Sequence, residues 1–311
     1  MKVYRSLDEL PSGFAASAVT IGKFDAIHLG HRTILSRLGR LAKREELQTV
    51  VVTFSRHPFE LLDPARVPQP ILGATQKLEL LKLAGVDNVL LLDFDEALAS
   101  RSAEDFITDI LVERLNAKLV MVGEGFRFGS GGAGDCQLLS DLASPSGYDF
   151  ASVEPVVVDG EVVSTSAIRT ALDEGDIAKA NLMLGRKHLT IGSVEHGLKI
   201  GRTIGFPTAN ISREAEGYLP RDGVYAGWMH TDGRKLPTAI SIGINETFQA
   251  VPRLAEAFVI DATAGLDLYD KVVTLEYVSF VRPAAKFDGV DSLVAEIKRD
   301  IEKIRSILAL T

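Results

Sequence analysis

Up to about residue 185 the apolar pattern of this chain keeps changing period, and beyond that point the changes stop. The runs SAVTIG, TVVVTF, NVLLLDF and KLVMVG are short and continuous, as buried strands are. Between them, HRTILSRLGRLAKREEL, ATQKLELLKLAG and SAEDFITDILVERLNA carry helical period; in the first, Ile34, Leu35, Leu38 and Leu41 share one face. Strands alternating with helices build βαβ units, so the first half is expected to form a parallel sheet that binds ligands beyond the carboxyl ends of its strands. Two further helical stretches follow, STSAIRTALDEG and DIAKANLMLG. From about residue 187, HLTIGSVEHG, GVYAGWMH, TAISIGI, EAFVIDA and KVVTLEYVSFVR are β-rich and separated by Gly, Pro and Asp turns, the spacing of an antiparallel barrel or sandwich. The closing DSLVAEIKRDIEKIRSIL has helical period and should pack against it. The expectation is therefore α/β plus β, in two domains of residues 1–185 and 186–311, and 311 residues suffice for two cores.

Composition removes several function classes. With 46% apolar and 24% charged residues the chain is that of a folded globular protein. A net charge of −8 argues against a general nucleic-acid binder, which needs a basic surface. Anionic ligands require instead a local gathering of basic groups and backbone N–H donors. The single cysteine, Cys136, excludes an internal disulfide and a cysteine-rich zinc site. MKVYRSLDELPSG has no apolar core of signal-peptide length, and no run approaches the ~20 residues of a membrane span. A cytoplasmic location is the expectation, with homo-oligomerisation left open.

The stretch VTIGKFDAIHLGHRTIL places His28 and His31 where the first apolar run gives way to a helix, with Gly30 between them. Spacing alone allows a surface pair or two metal ligands. A third reading uses the position: a helix N-terminus offers free N–H groups and partial positive charge, and Gly30 lets a phosphate approach the backbone. Two imidazoles there can donate hydrogen bonds to phosphate oxygens as charge builds on them. Further along, Ser164 is a good N-cap, Thr165 and Ser166 bring hydroxyls into the first turn, and Arg169 lies one turn on, able to fork onto a phosphate.

HLGH matches the HxGH signature of the nucleotidyltransferases, and IGKFDAIHLGH, which contains Gly22 and Phe24, resembles its version in the FMN adenylyltransferase half of bacterial bifunctional riboflavin kinase/FAD synthetases. TFSRHPFE, GFRFG and STSAIR are similar to that family in the same order. The resemblance implies a Rossmann-like nucleotidyltransferase domain in which His28 and His31 hold the ATP phosphates while the FMN phosphate attacks the α-phosphorus. Gly22, Phe24, Gly30, Ser164, Thr165, Ser166 and Arg169 would line the ATP phosphates.

The β-rich half carries HGLKIGRTIGFPTANI. Gly197, Gly201 and Gly205 with Lys199 and Arg202 make a phosphate cradle that is not a Walker loop, since no Gly-Lys-Ser/Thr follows. Thr208 and Asn210 are two apart, so on a strand they share a face and offer two neutral oxygens, which suits Mg²⁺ with ATP and water as its other ligands. GFPTAN, with Pro207, resembles the riboflavin kinase signature, and the likeness continues through DGVYAGW, IGINETF, AEAFVID, DLYD and FVRPAAKF. It implies that Glu256 is the base taking the proton from the ribityl 5′-hydroxyl.

Three positions depart from the family pattern. Gly125 stands where many members have Asn or Asp, Glu246 replaces a proline, and Asp270 replaces a glycine. Taken together, the residues point to an enzyme that uses ATP and Mg²⁺ to make FMN from riboflavin and FAD from FMN, releasing ADP in the first step. The alternatives are a kinase with a weakened or inactive adenylyltransferase domain, and a regulator that binds flavin or nucleotide without turnover.

Overall fold

The computed structural model describes residues 1–196, 200–243, 253–262 and 266–310. Its packing divides into two compact units, residues 1–69 with 74–163, and residues 70–73 with 164–311.

In the first unit, β1 (Lys2–Tyr4), β2 (Ser17–Ile21), β3 (Gln48–Phe54), β4 (Asn88–Leu92), β5 (Ala117–Gly123) and β6 (Asp149–Val153) form one sheet in the order β1-β4-β3-β2-β5-β6. Every adjacent pair is parallel. Side chains alternate between two faces, so the sheet has two cores. On one face Val19, Val50, Val52, Leu90 and Val120 pack with Ile107, Ile110 and Leu111. On the other, Ala18, Leu119 and Met121 meet Ile34, Leu38 and Ala42 of helix α1 (Leu29–Arg44). The helix read from ATQKLELLKLAG is α2 (Ala74–Leu83). That read from SAEDFITDILVERLNA is one α-turn followed by a π-helix over Phe106–Arg114, whose wider ring is seen where Leu115 N donates to Ile110 O at 3.0 Å. The chain runs from β2 to β3 to β4 on one side, then returns to lay β5 and β6 on the other. The crevice between β2 and β5 is thus the switch point of the sheet, where ligands of such folds bind. A small hairpin, β7 (Val157–Val158) and β8 (Glu161–Val162), turns through Asp159 and Gly160, both at positive φ.

The second unit resolves the choice between barrel and sandwich. Strands β9 (His188–Glu195), β10 (Ala209–Ile211), β11 (Gly223–Thr231), β12 (Arg234–Gly243), β13 (Leu254–Val259) and β14 (Val272–Pro283) close a six-stranded antiparallel barrel in the order β10-β13-β12-β11-β14-β9, with β9 pairing β10. The final helix, α5 (Val290–Leu308), buries Ile304 against Ala226 and Ile260. Helices α3 (Thr165–Glu174) and α4 (Ile177–Leu184) pack with this unit: the Asn181 amide donates to Tyr277 O at 3.0 Å, and its oxygen accepts from His188 N at 2.6 Å. So does the segment 70–73. Ile71 is fully buried and its carbonyl accepts from Tyr218 N at 3.2 Å, while a Cβ on Gly73 would sit 2.3 Å from the Glu216 side chain.

Candidate functional site

In the first unit, β2 ends at Ile21 and the chain reaches α1 through a turn that is both tight and strained. Phe24 and Ile27 have φ of 49° and 43°, which bulky and β-branched residues rarely adopt, and both side chains are buried. The Gly22 N–H donates to Val52 O at 3.0 Å, and the Thr53 hydroxyl donates to Lys23 O at 3.0 Å, so β3 holds the turn. A Cβ at Gly22 would lie 3.2 Å from the Phe24 ring.

His28 is the N-cap of α1, and its Nδ1 accepts from His31 N at 3.4 Å. In a neutral imidazole accepting at Nδ1 the ring proton is on Nε2. The two imidazoles stack at 3.8 Å, and Phe24 packs on His31 at 4.9 Å. Burial, reinforced by the neighbouring His28, holds the His31 pKa well below the ordinary histidine value, so His31 is neutral near pH 7. Its buried Nδ1 has no hydrogen-bond partner among the described residues. Gly30 has a reason beyond phosphate approach: a Cβ there would be 3.0 Å from His28 Cε1 and 3.1 Å from Nδ1. Among the described residues no cluster of three or more His, Cys, Asp or Glu could hold a metal ion, so nothing adds a ligand to the histidine pair.

After β3, in the stretch TFSRHPFE, Lys23 Nζ lies 3.4 Å from His57 Nε2 and 5.9 Å from the Phe59 ring centre. No pattern in the sequence gives these residues a role, because only the fold brings the end of β3 beside the turn after β2. Gly125 follows β5 on the ligand side at φ 77°, and a Cβ there would meet nothing within 4 Å.

In the second unit, Ser164 caps α3 by accepting from Ala167 N at 3.1 Å. Thr165 and Ser166 open that helix, and Arg169 is half-buried one turn along. These residues therefore stand together, in the unit that also holds the barrel.

The glycine-rich turn before β10 is compact. Phe206 N donates to Gly201 O at 2.8 Å, and a Cβ at Gly201 would be 2.3 Å from Phe206 O, so only glycine fits. Gly205 has φ 87°, while Arg202 and Pro207 are exposed. Gly197, Lys199 and Glu246 lie outside the described residues. Asp270, where the family pattern has glycine, takes φ 61°.

Thr208 and Asn210 flank buried Ala209, so they share a face, and β10 pairs Asn210 directly with Glu256 on β13. The Thr208 hydroxyl donates to Glu256 Oε2 at 3.4 Å. Two cavities meet at Thr208. One, about 250 Å³, is lined mainly by apolar groups such as Ile240, Leu254 and Phe258, with Glu256 in its wall. The other, about 280 Å³, has Arg202, Pro207, Val259 and Tyr269 in its wall. A carboxylate beside two neutral oxygens is a donor set that suits a hard divalent cation.

Comparison with known proteins agrees with both halves. A family model described as FAD synthetase matches residues 11–167, and one described as riboflavin kinase matches residues 184–308. A bifunctional riboflavin kinase/FMN adenylyltransferase of Escherichia coli K12 is 34% identical over all of this chain and 99% of its own length. The protein of the same name from Listeria monocytogenes is 32% identical over 94% of this chain and 92% of its own. A crystal structure from Streptococcus pneumoniae, described as a macrolide-efflux protein, is 30% identical and superimposes with a TM-score of 0.87, over 97% of this chain and 98% of that one. In the present chain no helix among the described residues is long and apolar enough to cross a membrane.

Proposed function

The chain belongs to the bifunctional riboflavin kinase/FMN adenylyltransferase family, and from that premise we propose how its two sites divide the work. Residues 186–311 phosphorylate riboflavin to FMN, and residues 1–185 adenylylate FMN to FAD, with ATP consumed in both steps in the cytoplasm.

In the kinase step the apolar cavity takes the flavin ring, and the ribityl 5′-hydroxyl faces Glu256. Glu256 removes its proton, the oxygen attacks the γ-phosphorus of ATP, and ADP leaves. The neighbouring cavity takes the nucleotide, with Arg202 on its phosphates. Thr208 and Asn210 would hold Mg²⁺, which when bound neutralises charge on the transferring phosphates. In the adenylylation step an oxygen of the FMN phosphate attacks the α-phosphorus and pyrophosphate leaves. The imidazoles of His28 and His31 donate to the phosphate oxygens where charge develops, His31 as a neutral, positioned dipole.

The observation that carries the reading is Thr208: it borders both cavities and donates to Glu256 from the strand edge between them. Incubating the protein with riboflavin, ATP and Mg²⁺ and separating the flavins by HPLC tests it. FMN followed by FAD is the expected result, and unchanged riboflavin would overturn it. A second reading, a kinase with slow adenylylation, is favoured by Gly125, where a side chain would meet only open space. It predicts FMN accumulation with a trace of FAD.

A further inference from the structure

The turns after β2 and β3 bring two nitrogen donors to one point. The His57 ring is pinned by its own turn: Nδ1 accepts from Phe59 N at 3.1 Å, and the His57 N–H donates to Glu60 Oε1 at 2.9 Å. An imidazole that accepts at Nδ1 has its one proton on Nε2. Nε2 lies 3.4 Å from Lys23 Nζ, and an ammonium offers donors only. Were Lys23 to donate to Nε2, the ring would carry no proton at all, an anion that neutral water does not allow. Two donors thus face each other, and an acceptor beside both is what satisfies them. The backbone holds them there: Gly22 N donates to Val52 O at 3.0 Å and the Thr53 hydroxyl to Lys23 O at 3.0 Å. A second cation adds to the positive field, since the Arg66 guanidinium lies 5.4 Å from the Phe59 ring centre and Lys23 Nζ 5.9 Å. Of the carboxylates in the stretch after β3, Glu60 is turned to the His57 N–H and Asp63 to Arg66, at 3.6 Å.

Resting on the adenylylation reading above, we propose that Lys23 and His57 together bind a phosphate group of a substrate of adenylyl transfer. Phosphate oxygens accept several donors at once, and lysine meets them as a compact charge with no fixed plane. Both residues follow the carboxyl ends of neighbouring parallel strands, the end of the sheet from which α1 also starts with His28 as its cap. Lys23 is exposed and His57 half-buried, so an anion reaches the ammonium from solvent while the ring stays fixed. Two substrates carry the chemistry this pair recognises, the phosphate monoester of FMN and the triphosphate of ATP. A charge that grips a phosphate before and during the reaction stabilises ground state and transition state alike. Its loss therefore appears in KM and leaves kcat nearly unchanged.

The test uses the full chain with FMN, ATP and Mg²⁺ supplied and follows FAD. Lys23→Met keeps the length of the side chain and removes the charge. It should raise KM for at least one substrate by about tenfold, with kcat within about twofold of wild type. A rise confined to FMN assigns the pair to the flavin monoester, and one confined to ATP assigns it to the triphosphate. A rise in both places it between the two. His57→Asn keeps an acceptor for the Phe59 N–H and removes Nε2–H, and should raise the same KM by roughly threefold. Lys23→Arg keeps a cation and should restore that KM to within about threefold of wild type, which separates charge from packing on Phe59. If Lys23→Met destabilises the protein in a thermal melt, His57→Asn carries the KM comparison by itself. Unchanged KM for both substrates overturns the proposal, as does a fall in kcat alone. An Arg variant as impaired as the Met variant, or Lys23 and His57 variants that move different substrates, overturns it as well. A wild-type protein that forms no FAD overturns the functional reading, and this inference with it.

Discussion

In the turn between β2 and α1, side chains shape the site: Phe24 is buried at φ 49°, two imidazoles stack, and glycines at 22 and 30 leave room for neighbouring rings. In the turn from Gly201 to Thr208 the backbone does the shaping, since Gly201 closes on the Phe206 carbonyl and the functional groups stand on barrel strands instead. The difference follows from what surrounds each turn. An open parallel sheet ends in loops, so a precise donor array must be stiffened from within the loop. A closed barrel already fixes Asn210 opposite Glu256 by strand register, and on the proposed reading the turn has only to admit phosphates. The first arrangement concentrates chemistry in a few contiguous residues; the second spreads it over strands distant in sequence.

The sharpest way to break this comparison is at Glu256. If the barrel's chemistry rests on one carboxylate held by register, Glu256→Gln should slow riboflavin phosphorylation by about a thousandfold, as loss of a general base does, while adenylylation of added FMN continues. Kinase turnover at wild-type rate would remove Glu256 from the role of base.

At the other site the effect should be smaller, because no proton is taken by the protein. His31→Ala removes one preorganised donor and should cost about 3 kcal/mol, roughly a hundredfold in FAD formation, with phosphorylation unaffected. The pH dependence sharpens this. The His31 pKa is lowered, so the neutral ring prevails from alkaline pH down through the ordinary histidine range and is lost only at more acid values. The pH profile of adenylylation kcat should therefore show no acid limb near pH 6.5 from this residue. A limb there that His31→Ala abolishes would show that the ring works as a cation.

The smallest change expected is at Gly125. Its φ of 77° is one that Asn tolerates better than most residues, and the space around it is open. Gly125→Asn should raise kcat/KM for FMN by up to about tenfold, or about 1.4 kcal/mol, under saturating ATP. Equal or lower values would mean that the site works around a glycine.

The comparison also explains what could be read from sequence. The strand cores SAVTIG, TVVVTF, NVLLLDF and KLVMVG and the helix beginning at His28 are visible because their apolar period is local. His28, Gly30 and His31 fall within four residues, so their clustering at the start of α1 could be read from sequence. Lys77 could not be read in that way: within ATQKLELLKLAG it looks like any charged residue on an amphipathic helix, and only the fold brings it to the Phe54 carbonyl. Strand β1 has three residues and gains its order solely from pairing with β4, so no local signal marks it. The same holds for β10, whose three residues close the barrel. The boundary near Gly185 marks a change of periodicity, whereas packing puts α3 and α4 with the barrel through contacts such as Asn181 with Tyr277 and His188.

The segment Pro70–Gly73 has a consequence for how the chain is made. It lies early in sequence, between β3 and α2, yet packs with a unit whose remaining residues begin at Ser164. During synthesis, Ile71 and Leu72 leave the ribosome long before Tyr218, which binds the Ile71 carbonyl in the finished protein. The nascent first unit must therefore carry an uncovered apolar strap until the barrel is complete. Contacts of such sequence separation slow folding, and the strap stays open to aggregation until Tyr218 is made.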